Sequence, residues 1–313
     1  MLEVDGRFAE AIGLFLGDGD MHRKEKRHLS FASKEHDIAI FIMWFLRERL
    51  FVSYKDITVL MQYNSYMPNI SEVSEKLGIS KLLTRFSPRH RHPTFQIQVN
   101  GVVFRLAFEA IVAKFLSSDF MRKPPLRRGF LRGLFAAEGC VAPMNKEQYL
   151  GNVSFTLSIF EKSLAETLGK ALYIEEISFR ENIRMDNNSR EIIITNWQNY
   201  LKCWKIGLFD RCTRKKQVFL SVAKKCKVYG VVDKKDLKKI ALQYRQNELA
   251  SLIGSWQGNV SRMLKGKILF SLDQVKKLES LGFSLSLKEL RVGCLTPIPY
   301  SEETLQLFLT GGS

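Results

Sequence analysis

Cysteines are few in this sequence and no two of them lie close together. The five stand at positions 140, 203, 212, 226 and 294, with no Cys-x-x-Cys pair. An odd number of scattered cysteines argues against a disulfide framework, and the missing pair argues against a zinc site. We therefore expect a reducing intracellular location, either the cytoplasm or nucleoid, or an organelle matrix if the host is a eukaryote.

Long apolar runs and phosphate-binding glycine loops are missing as well. The longest apolar run, Ile38–Leu46, holds nine residues, whereas a membrane-spanning helix needs about 20. The N-terminus does not show the basic-then-apolar order of a signal peptide. The pair Gly266-Lys267 lacks the upstream glycine of a P-loop. These absences exclude a membrane-spanning protein and a P-loop nucleotidase.

Acidic residues are far fewer than basic residues. The chain of 313 residues has 48 Lys and Arg against 32 Asp and Glu, which gives a net charge of +16. Residues 211–267 alone carry +12, whereas 1–210 carry +5 and 268–313 carry −1. An excess of this size predicts an anionic partner, either nucleic acid or an anionic membrane surface. Hydrophobic residues make up 45% of the chain, enough for a buried core in about two or three domains.

A nine-residue pattern occurs twice within the first 210 residues. Ala11–Gly19 and Leu131–Gly139 both read Gly-Leu-Phe, two small or apolar residues, an acid and a glycine. Each segment has the features of a helix end, because helix-forming residues run up to a terminal glycine. The acids at the two ends are Asp18 and Glu138.

Small residues recur four apart within each copy of the pattern. They are Gly13 and Gly17 in the first copy, and Gly133 and Ala137 in the second. This spacing puts them on one face of each helix. Faces of small residues let two helix backbones approach closely. If the helices pack on these faces, the two acids emerge side by side.

The elements predicted after each pattern also repeat. Both halves read helix, two strands, helix, two strands, helix, with period-2 alternation in Phe95–Val99 and His28–Ala32. With two matching patterns and the same element order, residues 5–210 resemble a single-chain LAGLIDADG homing endonuclease. The resemblance implies an α+β fold, a pseudo-two-fold pair of αββαββα half-domains with DNA-facing antiparallel sheets. We place the half-domains at residues 1–122 and 123–212.

The C-terminal third resembles a helix-turn-helix DNA-binding module. Helices are predicted at 234–244, 247–253 and 258–265, with Ala250 where two helices cross, Gly254 at the turn and Val260 as an apolar anchor. We assign residues 213–233 to a basic connector, 234–292 to a small all-α helix-turn-helix domain and 293–313 to a tail.

The family resemblance implies a divalent-cation site at the ends of the two pattern helices. Asp18 and Glu138 would hold Mg²⁺, for which Ca²⁺ or Mn²⁺ substitutes in binding, and the backbone carbonyls of Gly17 and Ala137 would add ligands. Magnesium commonly uses one or two protein carboxylates together with phosphate oxygens and water. Lys34 is the best positional match to the family's basic catalytic residue, although a surface lysine in a capped first helical turn explains it equally well.

DNA contacts are expected from hairpin tips, sheet faces, the basic connector and the helix-turn-helix, because Arg and Lys neutralise phosphates or read guanine edges. The candidates are Arg23, Lys24, Lys26, Arg27, His28, Lys146, Arg180, Arg184, Arg190, Lys215, Lys216, Gln257, Asn259, Arg262 and Lys265.

The predicted function is therefore a site-specific, metal-dependent DNA endonuclease. By resemblance, it recognises a long asymmetric site and hydrolyses one phosphodiester per strand across the minor groove, which leaves 3′ overhangs. We expect a monomer that acts on double-stranded DNA without a protein partner or a membrane. Two alternatives remain open at this point: a non-cleaving DNA-binding transcriptional regulator of the WhiA type, and an RNA intron maturase.

Overall fold

The computed structural model of the protein describes residues 2–20, 27–64, 68–88, 92–144, 149–158, 161–185, 188–292, 296–299, 304 and 306–308. The chain forms two compact units. Unit 1 comprises Met1–Val141, Val153–Ile194 and Lys202–Gln217, and unit 2 comprises Ala142–Asn152, Thr195–Leu201 and Val218–Ser313. None of the helices in the described part is long and apolar enough to cross a membrane.

The first half of the chain forms a four-stranded sheet with helices against it. Its elements are α1 (Gly6–Asp18), β1 (His28–Ser33), α2 (His36–Trp44), β2 (Ile57–Tyr63), α3 (Ile70–Leu77), β3 (Leu83–Phe86), β4 (Thr94–Asn100) and α4 (Val102–Leu116). The strand order is β1-β4-β2-β3. A strand predicted near residues 20–24 lies mostly outside the described residues, although the Asp20 amide already donates to the Ser30 carbonyl at 2.9 Å.

An unpredicted insertion, α3 and β3, separates β2 from β4. Helix α3 begins after Asn69, whose side chain accepts hydrogen bonds from the amides of Ser71 and Glu72, and ends at Gly78 in the left-handed conformation. Because the chain crosses over through this helix, β3 pairs with β2 in parallel, and the sheet is not wholly antiparallel. Asn69 and Gly78 are typical helix-capping residues, but the predicted half-domain had no helix between them.

The second half follows the predicted order. Its elements are α5 (Pro124–Glu138), β5 (Gly139–Met144), β6 (Tyr149–Ser158), α6 (Lys162–Ile174), β7 (Phe179–Arg184), β8 (Ser189–Ile194) and α7 (Trp197–Lys205). The strand order is β5-β6-β8-β7, with β8 antiparallel to both β6 and β7. The predicted α+β architecture with paired half-domains is therefore confirmed.

Helices α1 and α5 pack backbone against backbone. A Cβ atom built on Gly133 would lie 1.9 Å from the Glu10 carbonyl oxygen, and one built on Gly13 would lie 2.4 Å from the Phe130 carbonyl oxygen. A Cβ on Gly17 would lie 2.5 Å from the Ala137 Cβ. Real Cβ atoms do not approach other atoms this closely, so the crossing excludes larger residues. The predicted packing through small residues is thus confirmed.

A buried carboxylate ties α1 to two other segments of unit 1. The fully buried Glu10 pairs with Arg132 of α5, at 3.1 Å, and with Arg211. Arg132 also donates to the Gly207 carbonyl at 3.1 Å. A buried charge is tolerated only when paired and hydrogen-bonded. The two arginines therefore supply the counter-charges and hydrogen bonds that the buried Glu10 carboxylate needs.

The remainder of the chain contains α8 (Thr213–Lys225), β9 (Val228–Val232), α9 (Lys234–Gln243), α10 (Gln246–Ile253), α11 (Gln257–Leu264), β10 (Phe270–Ser271), α12 (Leu272–Ser280), β11 (Leu287–Val292) and β12 (Thr296–Pro299). The three predicted helices agree with α9, α10 and α11 to within one residue at each end. Ala250 and Val260 lie in the apolar core of this segment, and Gly254 has the left-handed conformation (φ +67°).

The prediction that the C-terminal domain is all-α was wrong. Strands β10, β9, β11 and β12 form a four-stranded sheet in that order. Residues 213–233, predicted as a connector, form α8 and β9, and the predicted tail contributes β12. The basic residues from Arg211 to Lys216 suggested a connector, but alternate residues of β9 are buried against the core, and burial decides its conformation.

We expect Gly133→Ala to lower the free energy of unfolding by about 2–3 kcal/mol, because the methyl group meets the Glu10 carbonyl in a rigid helix crossing. Gly169→Ala is the matched control. It is also a helical glycine, but the added methyl meets only the Phe179 ring, at 3.0 Å. Chemical denaturation of both variants measures the difference, and equal stability would contradict the proposed steric limit.

Candidate active site and nucleic-acid interface

The two acids of the repeated pattern lie next to each other at the ends of α1 and α5. Each helix ends at its acid and is followed by an extended glycine, Gly19 or Gly139. A Cβ built on Gly17 would lie 2.9 Å from the Glu138 Cγ, so the Glu138 side chain packs on the glycine that precedes Asp18. The close helix crossing therefore produces the adjacency predicted from the sequence.

Both carboxyls hold protons more tightly than free carboxyls do. Burial raises the pKa of Asp18 to about 6, with Lys215 and Lys34 opposing the shift. Burial and then the negative charge of Asp18 raise the pKa of Glu138 to about 7, and Lys215 opposes the shift. Crowded carboxylates of this kind favour a bound cation.

Lys215 lies inside this site, where the sequence had predicted only a DNA contact. Its side chain is buried, and the Nζ atom donates to the carbonyls of Phe135, Ala136 and Ala137 at 2.9, 2.7 and 3.2 Å. These are terminal carbonyls of α5, where a cation is favoured. Burial lowers the pKa of the Lys215 ammonium. Its position was missed because residue 215 is far from α5 in sequence.

The site is asymmetric with respect to a divalent cation. The Ala137 carbonyl, a predicted ligand, already accepts from the Lys215 ammonium. Among the residues that the structure describes, no lysine or arginine side chain makes the same contact with the Gly17 carbonyl. No group of three or more His, Cys, Asp and Glu residues that could hold a metal occurs in the described ranges. Asp18 and the Gly17 carbonyl are oxygen donors of the kind that a divalent cation takes, and the Lys215 ammonium acts on Asp18 as well as on Glu138.

Lys34 lies on the rim of the same site. It follows β1 and lines a cavity of about 340 Å³ together with Asp18, Ala137, Arg214 and Lys215. Its positive charge reaches Asp18, since it opposes the rise in the pKa of that carboxyl. The structure thus brings together Asp18, Lys34 and Lys215, which the sequence analysis had placed in two separate groups.

The predicted DNA contacts in the second sheet separate onto two faces. Arg180 and Arg184 are exposed and lie on the same face of β7 by the period-2 rule. Arg190 pairs with Leu157 and Ile183 in the strand register, which puts it on the other face. Its side chain is 13% exposed and pairs with Glu181. We therefore leave Arg190 out of the proposed interface.

The first sheet presents a mainly polar face, which includes the exposed Arg85 next to Gln62. Cross-strand partners in the register put Ser30, Gln98 and Thr58 on one face, and Gln62 donates to Gln96 on that face at 3.2 Å. Alternate residues of β4, from Phe95 to Val99, are buried on the opposite face. Glutamine amides suit base edges, whereas the residues predicted for the sheet faces were arginines and lysines. The polar alternation in β4 was the signal that could have identified them.

The remaining residues predicted to contact DNA differ in their exposure and in their ion pairs. Arg27 is exposed and His28 half-buried at the start of β1, whereas Arg23, Lys24, Lys26 and Lys146 lie outside the described residues. Lys216 pairs with Asp210 at 2.9 Å and keeps 36% of its side chain exposed. In α11, Gln257, Arg262 and Lys265 are exposed and Asn259 is half-buried.

The raised pKa values predict a pH-dependent stability. In EDTA, the folded chain binds protons at Asp18 and Glu138 up to pH values of about 6 and 7, whereas ordinary values are 3.8 and 4.5. The free energy of unfolding should therefore fall as the pH rises from about 4 to about 7. The double variant Asp18→Asn/Glu138→Gln should show a shallower fall in denaturation midpoints over this range. Parallel pH profiles for the two proteins would contradict the assignment.

Two family profiles match parts of the chain: a LAGLIDADG-like domain over residues 125–239 and a WhiA LAGLIDADG-like domain over residues 9–84. No curated protein matches the sequence.

Similar solved structures include mesophilic variants of the homing endonuclease I-DmoI, at 14% identity and a TM-score of 0.41, covering 63% of this chain and 86% of that chain. The N-terminal LAGLIDADG domain of DUF199/WhiA has 17% identity and a TM-score of 0.38, covering 64% and 81%. Full-length DUF199/WhiA from Thermatoga maritima has 14% identity and a TM-score of 0.40, covering 88% and 92%. With the two acid-ended helices and the two profile matches, the chain contains two LAGLIDADG-like domains.

Proposed function

We propose that the chain is a site-specific endonuclease that hydrolyses both strands of duplex DNA with a divalent cation held at Asp18 and Glu138. The adjacency of these two carboxylates, at the ends of helices that touch through their glycines, carries the proposal. A protein that only binds DNA has no chemical need for two crowded acids. An ordinary surface would keep them apart, because their mutual repulsion is unfavourable.

Each residue of the site would have its own role in phosphodiester hydrolysis. A bound divalent cation would activate water and stabilise the leaving oxygen. Asp18 and the Gly17 carbonyl would hold it on one side, and Glu138 on the other. Lys34 and Lys215 place two positive charges beside these acids, where they would offset the charge of the scissile phosphate. Because each pattern helix supplies one acid, each DNA strand would meet its own carboxylate.

Recognition would come from the two sheet faces and the α11 helix. Gln62, Gln96 and Gln98 offer amide groups to base edges, and Arg180 and Arg184 offer cations to phosphates or guanines. The large positive charge of residues 211–267 would add affinity that does not depend on sequence. We further propose Mg²⁺ as the working cation and a monomer as the active form.

Asp18→Asn and Glu138→Gln should each abolish double-strand cleavage while duplex binding stays within about threefold of wild type, because each replaces a ligand oxygen without changing size. The substrates are duplexes that include the DNA flanking the reading frame with the insertion removed. Cleavage products in Mg²⁺ and binding in Ca²⁺ are measured separately. Asp20→Asn, beside the site but outside the helix end, is the control. Undiminished cutting by both site variants would refute the assignment.

A second function, DNA binding without cleavage, is favoured by one observation. The Lys215 ammonium already occupies the Ala137 carbonyl and opposes the rise in the pKa of both acids, so it offsets their charge without a metal. In a regulator of the WhiA type, this ammonium would replace the cation permanently. In the nuclease, the two acids would still bind the working metal beside this ammonium.

Manganese titration of the full chain, followed by electron paramagnetic resonance, separates the two functions. Lys215→Met removes the ammonium while keeping most of the buried volume, and we expect it to bind Mn²⁺ about tenfold more tightly, since a nearby positive charge is lost. If the chain is a nuclease, the wild-type protein should bind Mn²⁺ measurably. If it is a regulator, only the Lys215→Met variant should bind Mn²⁺. Lys216→Met is the control, because Lys216 pairs with Asp210 at the surface. If Lys215→Met binds no better than this control, the ammonium does not compete with a metal.

A further inference from the structure

Trp256 is exposed at the turn that precedes α11. Three of the four tryptophans are buried or half-buried, whereas Trp256 leaves 75% of its surface in solvent. It follows the Gly254 turn and immediately precedes Gln257, the first residue of α11. Exposing an indole ring forfeits a large amount of apolar burial. Contact with a partner would recover this burial.

The local sequence at this turn is unfavourable for the helix. Trp256 occupies the N-cap position of α11 and makes no side-chain cap hydrogen bond, although Ser, Thr, Asp and Asn are the residues that stabilise this position. The second helical residue is Gly258, which costs helix stability relative to alanine. Two locally unfavourable choices therefore fall within three residues at this turn.

Trp256 and Gly258 are structurally linked, because the indole ring lies over Gly258. A Cβ atom built on Gly258 would lie 2.4 Å from Cζ3 and 2.9 Å from Cε3 of the Trp256 ring. Glycine therefore lets the ring lie flat on the first turn of α11. A ring placed in this way loses little conformational entropy when it binds a partner.

The surroundings of the ring indicate the partner. Gln257 and Arg262 are exposed on α11, and Lys265 is exposed at its end. An apolar ring at the start of a helix that also exposes cations suits a nucleotide, whose sugar and base are apolar and whose phosphate is an anion. We propose that Trp256 packs on a deoxyribose or a thymine methyl group of duplex DNA where α11 meets it. This inference rests on the DNA binding proposed above, but not on cleavage.

The test compares full-length variants in duplex binding and in thermal stability. Trp256→Ser restores a capping side chain and removes the ring, so it should raise the melting temperature while weakening affinity for a mixed-sequence duplex about tenfold. Trp256→Phe should keep most of the affinity. Leu242→Ser is the matched control, because Leu242 is an 88% exposed apolar residue on α9, and it should not change binding.

Fluorescence gives a second readout that a purely structural role would not change. Wild-type tryptophan emission should be quenched by iodide, and a saturating duplex should protect it. Trp256→Phe should lose both the quenching and the protection, because the other three tryptophans are less accessible.

Wild-type affinity in Trp256→Ser, or iodide quenching that DNA does not change, would overturn the proposed contact. A lower melting temperature in Trp256→Ser would show that the ring serves the fold, which also overturns it. Duplex binding that depends on Trp256, together with no cleavage of the duplexes that carry the flanking DNA, would refute the nuclease and leave this contact standing. No duplex binding by wild type would refute both.

Discussion

Helices α1 and α5 touch through their backbones, and the rest of unit 1 depends on that contact. Gly13, Gly17 and Gly133 leave no room for a side chain at the crossing. The short distance brings Asp18 and Glu138 together, and their crowding raises both pKa values. A crossing spaced by ordinary side chains would separate the acids by several ångströms. The chemistry proposed for the site is therefore a consequence of helix packing.

Much of the positive charge that suggests a nucleic-acid partner is used inside the protein. Arg211 neutralises the buried Glu10, Arg214 pairs with Glu35, Lys215 caps α5 and Lys216 pairs with Asp210. These residues all belong to unit 1 and fix the segment 211–216 to the rest of that unit. Exposed positive charge also occurs further along the chain, in α9 and α11. Net charge alone does not separate these two uses, because both need the same residue types.

The crowded acids and the exposed Trp256 are both unfavourable for stability, and both have a chemical use in the proposed function. The acids at the helix ends are kept close although they repel each other, which suits a cation. Trp256 is exposed at a position where a serine would stabilise α11, which suits an apolar contact with DNA. Other local features follow the capping and pairing rules: Asn69 caps α3, Ser271 caps α12, and Glu10 has its counter-charges.

The sequence by itself determined the elements whose signals are local. The repeated pattern predicted two helices, their contact through small residues and the adjacency of their acids, and apolar periodicity placed α9, α10 and α11 to within one residue. Only the tertiary structure decided the features that join distant segments. Lys215 reaches carbonyls about 80 residues away, Arg190 faces away from Arg184 because of the strand register, and β9 forms a sheet with β11, about 60 residues later in the chain. Such contacts depend on burial and register across the fold, and neither is encoded in a short stretch of sequence.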